Sequence, residues 1–178
     1  MDLFGGNPFL VQGFEIPSDA PLFLTILSMH VIAGLTCVVA GVAAMLSKKQ
    51  HGIHSRAGSI YYWVLWIVFI TATIMAALRW KEDYHLFILG LISFCSAVIA
   101  KRAIKYKWQK WSVIHITGMG LSYIFLLTSF YVDNGRFLPV WKNFHPVVYW
   151  LVSSVVGIPI IIWTLLRHPL SRHYFIRD

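Results

Sequence analysis

Leu86–Ala100, LFILGLISFCSAVIA, is the stretch that decides the fold. It contains no charge, but at 1.5 Å per residue it covers only about 22 Å of a hydrocarbon layer ~30 Å thick. With Tyr84 and His85 ahead of it, the stretch can just span. Four longer apolar stretches surround it: Leu22–Leu46, Ala57–Leu78, Val113–Val132 and Pro146–Leu166. Each approaches the roughly 20 residues that a transmembrane helix needs. The chain therefore holds four or five spans, depending on how 86–100 is read.

The basic residues decide in favour of five. Lys48, Lys49 and Arg56 follow the first stretch, and Lys101, Arg102, Lys105, Lys107 and Lys110 follow 86–100. Arg167, Arg172 and Arg177 follow the last. The other side holds only Arg79, Lys81, Arg136 and Lys142, so the division of the 15 cations is eleven to four. That alternation needs an odd number of spans and puts the richer side in the cytoplasm. The reading is an all-α, polytopic integral membrane helix bundle with the N-terminus outside and the C-terminus cytoplasmic. A bacterial cytoplasmic membrane is its expected location.

Composition agrees. Of 178 residues, 58% are hydrophobic and 12% charged, and mean hydropathy is +0.68. A soluble domain carries about a quarter charged residues. The net charge of +8 follows from topology and from anionic lipid, and calls for no nucleic-acid partner. Residues 1–20 are expected to form an extracytoplasmic lead-in, not a signal peptide, because they mix acids, glycines and prolines. Residues 21–166 form a single transmembrane domain, and 167–178 a basic cytoplasmic tail. Cys37 and Cys95 fall at mid-helix depth as small packing residues, and without a Cys-x-x-Cys-His stretch covalent haem attachment is excluded.

Every carboxylate lies outside the apolar stretches: Asp2, Glu15, Asp19, Glu82, Asp83 and Asp133 on the outer side, Asp178 at the end. Carboxylate-bridged di-iron sites and buried Asp/Glu proton relays are thereby excluded. Histidine is the ionisable type left inside the membrane. His30 lies roughly 13 Å below the outer boundary. His85 and His145 stand near the outer surface, and His54 and His115 near the cytoplasmic one. His51, His168 and His173 belong to basic loops or the tail.

Small residues accompany these histidines. Gly34, Cys37 and Gly41 follow His30 on one helix face, Gly58 follows His54, and Gly118 and Ser122 follow His115. Such a face admits either another helix or a flat cofactor. A low-spin b-type haem needs two neutral imidazoles on different helices at one depth, with space for the porphyrin between them. His54 with His115 meets that need on the inner side, and His30 with His145, or His85, on the outer. Zinc or another divalent metal is the competing use, with His30, His85 and His145 as the donor set.

The segments HVIAGLTCVVAG and HSRAGSIYYW resemble a bacterial family of small multipass membrane proteins of unknown function. His30 and Gly34 match its His-x-x-x-Gly element. His54, Gly58 and Tyr61 match its His-Arg-x-x-Gly-x-x-Tyr element, with Arg56 displaced one position by Ser55. The stretch HITGMGLSYIFLLTSFYVDNG, residues 115–135, resembles the same family's fourth helix. A looser likeness of design runs to diheme b-type cytochromes.

Asp133-Asn-Gly reads as a turn, with Pro139 and Trp141 at the interface. The eight tryptophans read mainly as interfacial belt residues. The expected function is a haem-binding redox protein that passes electrons across the bilayer or to a membrane quinone or redox partner, with homo-oligomerisation open. A small transporter, with α-helix five broken at Gly157 and Pro159, and a histidine-metal membrane enzyme are the alternatives.

Overall fold

The computed structural model describes residues 7–11, 14–48 and 52–172. His51, His173, Lys49, Arg177 and Asp178 lie outside them. Two short antiparallel strands, β1 (Phe9–Val11) and β2 (Phe14–Ile16), precede the helices, with Leu10 opposite Glu15. Asn7 and Asp19 tie the ends of this hairpin together: the Asn7 N–H donates to Asp19 Oδ1 and the Asp19 N–H to Asn7 O. The lead-in is thus ordered in its described part.

Among the described residues six helices follow: α1 (Pro21–Leu46), α2 (Ile53–Leu78), α3 (Trp80–Lys105), α4 (Trp111–Asn134), α5 (Val147–Arg167) and the short α6 (Pro169–Arg172). The first five are long and apolar enough to cross a membrane. Residues 86–100 are the middle of a 26-residue helix, so the short stretch spans with room to spare. Hydropathy missed its length because both ends of α3 are polar, while helical hydrogen bonding continues through them.

Local chemistry explains the boundaries. Pro21 opens α1, where its fixed φ suits the first turn and its missing N–H costs nothing. Gly52, at φ +132°, supplies the left-handed bend from which α2 starts. Because α2 starts at Ile53, His54 lies within its first turn, not ahead of it. His168 precedes Pro169 and is extended, so α5 stops at Arg167. Pro159 lies inside α5, which stays helical from Val147 to Arg167. The expected break at Gly157 and Pro159 is therefore absent. Asp133 and Asn134 are also helical, as the last residues of α4, with a 3-10 turn at Gly135–Phe137 after them. The turn begins two residues later than the start of the Asp-Asn-Gly pattern suggested.

The chain divides into two compact units, Met1–Ile88 with Phe137–Lys142, and Leu89–Arg136 with Asn143–Asp178. In the first unit α1 and α2 form an antiparallel hairpin. Ala33, Cys37, Ala40 and Gly41 of α1 make a small-residue face, and Tyr61, Leu65 and Val68 of α2 supply the bulk that fills it. Close van der Waals fit of this kind is what holds helices together in lipid, where burying apolar surface against a neighbour gains little over burying it in acyl chains. The Cys37 thiol is fully buried and donates to Tyr61 O at 3.7 Å.

In the second unit α4 packs against α5 and against the 89–105 part of α3. Ser93 Oγ donates to Ser122 O at 2.7 Å, between α3 and α4. Between α4 and α5, Ile161 seats on Gly120 and Ile124 on Gly157. The beginning of the expected tail is folded here as well: Ser112 Oγ donates to Leu170 O at 2.9 Å, and Ser171 is fully buried. Cys95, in contrast to Cys37, is exposed on α3. Both cysteines are free thiols.

Large apolar side chains such as Val31, Ile32, Leu35 and Val39 on α1, and Leu151, Val155 and Ile162 on α5, remain exposed. Water would not tolerate so much contiguous apolar surface, and lipid requires it. The five helices fit an integral membrane protein in a lipid bilayer.

Candidate functional site

His30 sits on α1 and its Nδ1 lies 2.9 Å from Thr71 Oγ1 on α2. Thr71 has one hydroxyl proton, and Ile67 O, at 2.7 Å, takes it. With the proton placed there, Nδ1 of His30 is the donor in the contact with Thr71, and Nε2 of that neutral tautomer holds a lone pair. This arrangement resolves the problem of an imidazole at membrane depth, where an unsatisfied polar group costs about 2–7 kcal/mol. The partners are the Thr71 hydroxyl, itself held by its own helix, and the Val68 backbone.

His54, at the start of α2, repeats the arrangement. Its Nδ1 lies 2.8 Å from Ala44 O near the end of α1. A carbonyl only accepts, so Nδ1 carries the proton and Nε2 the lone pair. Metal- and iron-ligating histidines are oriented in this way: one ring nitrogen donates to a protein oxygen, and the other ligates. Both rings thus answer to one hairpin. Ala44 is fourteen residues beyond His30 on α1, about 21 Å along the axis, so His30 and His54 mark two separate places.

The glycine one turn after each histidine has open space beside it. A methyl group on Gly34 or on Gly58 would meet nothing within 4 Å. The expected face of His30, Gly34, Cys37 and Gly41 is therefore split. Cys37 and Gly41 are buried against the hairpin, while Gly34, about 40° round the helix from His30, faces outward. Arg56 is exposed.

The remaining histidines differ. His85, in the first unit, is half-buried with Tyr84 set edge-on at 5.6 Å. His115, in the second unit, is half-buried, but a methyl group on Gly118 would lie 2.8 Å from Ala100 Cβ and 2.9 Å from Ser96 O. There the small residue serves helix packing. His145 is exposed, and its Nδ1 accepts the N–H of Val147 at 3.4 Å, in the first turn of α5. The N–H of Leu170 reaches His168 Nδ1 at 3.3 Å in the same manner, as a short-range cap. Among the described residues no three His, Cys, Asp or Glu side chains are gathered so as to hold a metal ion.

Sequence reasoning missed Thr71 and Ala44 O, the groups that orient the two rings. A signal was present. Pairing across the α1–α2 loop puts residues with positions summing to about 98 side by side, as Cys37 with Tyr61 and Ala44 with His54. The same rule places His30 opposite position 68, and Thr71, one turn on, is the nearest hydroxyl in α2.

No family model matches the chain, nor does any curated protein or solved structure. The resemblance carried by His30, Gly34, His54, Gly58 and Tyr61, and the likeness to diheme cytochromes, find no support in these comparisons. Tyr61, read as a motif residue, is a buried member of the hairpin core.

Proposed function

We propose that this chain is a haem-binding membrane redox protein in which His30 and His54 are axial ligands at two separate sites. One observation carries the reading: both rings hold Nδ1 in a hydrogen bond that leaves Nε2 for iron, and both have an open glycine one turn away. Haem b supplies one-electron chemistry at a potential set by its ligands and surroundings. The chain's own part is to hold the rings. Thr71 and Ala44 O fix their orientation and tautomer. Gly34 and Gly58 leave space for a flat ring to approach the helix. The absence of any carboxylate within the apolar stretches keeps the surroundings low in dielectric and favours electron over proton transfer. His115 and His145 contribute less to this reading, since Gly118 is filled and His145 Nδ1 is an acceptor. In this reading the N-terminal side faces the outside of a bacterial cytoplasmic membrane, and a quinone or redox protein is the electron partner.

The absorption spectrum of the purified protein tests the proposal. Protein from haem-replete cells is expected to show a Soret band, with sharpened visible bands on reduction. His30→Gln and His54→Gln should each remove part of that absorbance from a folded protein. A colourless preparation that added hemin leaves unchanged would overturn the reading.

A further inference from the structure

The loop between α3 and α4 has a backbone that its side chains do not explain. Its sequence from 103 to 111 is AIKYKWQKW. The Trp108 N–H donates to Ala103 O at 3.1 Å and the Lys107 N–H to Ile104 O at 3.2 Å, the pair of bonds that closes a helix through a left-handed residue. That residue is Lys107, at φ +48°. Three positions on, Lys110 is left-handed again at φ +58°, immediately before α4. Glycine is the usual occupant of such positions, and asparagine the next, because a Cβ clashes there with backbone. Among the described residues these two lysines are the only non-glycine residues with positive φ. The chain uses glycine twelve times, so keeping lysine at both strained positions of one loop needs a reason.

Charge and placement supply it. Lys101, Arg102, Lys105, Lys107 and Lys110 are all exposed, and no Asp or Glu occurs between Asp83 and Asp133. Tyr106 and Trp108 stand exposed between the lysines. The Ser112–Leu170 bond brings the start of α6 to the same end of this unit, where Arg167 is exposed and lies over the Trp163 ring at 4.8 Å. Cations alternating with tyrosine and tryptophan, at the point where two apolar helices emerge, match the headgroup layer of a bilayer: rings at the interface, ammonium groups on phosphate. We propose that the α3–α4 loop is a binding site for anionic phospholipid, with Lys107 and Lys110 held left-handed so that their ammonium groups meet the headgroup phosphates.

Thermal unfolding of the full chain in mild detergent tests this, with phosphatidylglycerol, phosphatidylcholine or inorganic phosphate added in parallel. The wild-type Tm should rise by several degrees with phosphatidylglycerol and not with the other two. Lys107→Gly/Lys110→Gly relieves the backbone, so its Tm without lipid should equal or exceed that of wild type, while most of the phosphatidylglycerol increment is lost. Lys107→Asn/Lys110→Asn, which also tolerates the left-handed region, should behave alike and covers a failure of the glycine variant to fold. An equal increment with phosphatidylcholine or phosphate, or an undiminished increment in both double variants, would overturn the proposal.

Discussion

At Gly34 and Gly58, in the unit built on the α1–α2 hairpin, an added methyl group would meet open space. At Gly118, Gly120, Gly135 and Gly157, all in the other unit, it would run into a neighbour. The same residue type does two kinds of work. In the second unit glycine lets a partner in: Ala100 and Ser96 O at Gly118, the Ile161 and Ile124 side chains at Gly120 and Gly157, the Tyr149 ring at Gly135. In the first, the histidine neighbouring each glycine is held by its own hairpin and nothing fills the space. Helix packing accounts for the former set and leaves the latter unexplained, which is why the cofactor reading rests on the first unit.

Gly118→Ala should have the largest effect. Its new methyl group meets backbone as well as a side chain, and backbone has little freedom to give way, so destabilisation toward the upper end of about 1–3 kcal/mol is expected. A fall in Tm smaller than that of an exposed control would break the comparison. Gly157→Ala and Gly120→Ala should cost less, about 1 kcal/mol, since the atoms met are isoleucine branches that can rotate away. Unfolding of both variants in denaturing detergent measures the difference.

Thr71→Val removes the His30 partner within the first unit. Interhelical hydrogen bonds in lipid average about 0.6 kcal/mol, so the fold should survive with a small loss. The sharper readout is spectroscopic: a ring freed at Nδ1 should shift the reduction potential of any haem bound at Nε2. An unchanged potential in a haem-loaded sample would count against His30 as a ligand. Opposite in sign are Gly34→Ala and Gly58→Ala. Alanine favours helix over glycine by up to ~1 kcal/mol, and the space is free, so each variant should be as stable as wild type or slightly more so. Gly34→Leu and Gly58→Leu sharpen the contrast, with a folded protein and diminished haem absorbance as the expected result.

Hydropathy and cation placement sufficed to read five helices in the chain, including the short 86–100 stretch, because crossing a bilayer is a requirement on length and composition that sequence states directly. Helix ends were less legible. Ile53, Trp80 and Asn134 extend their helices through polar residues, and the backbone bonds that keep them helical leave no trace in apolar content. That His30 falls within an apolar span could be read from sequence, and so could its need for a partner. Which atom answers that need could not, because Thr71 lies forty-one residues away and reaches His30 only through the α1–α2 register. Likewise His-x-x-x-Gly and His-x-x-Gly look equivalent as strings, yet Gly34 opens outward and Gly118 is filled by Ala100. Sequence determined the membrane class and the spans. Tertiary structure alone decided which faces are packed and which stay open, since helices apolar on every side carry no periodicity to mark an inner face.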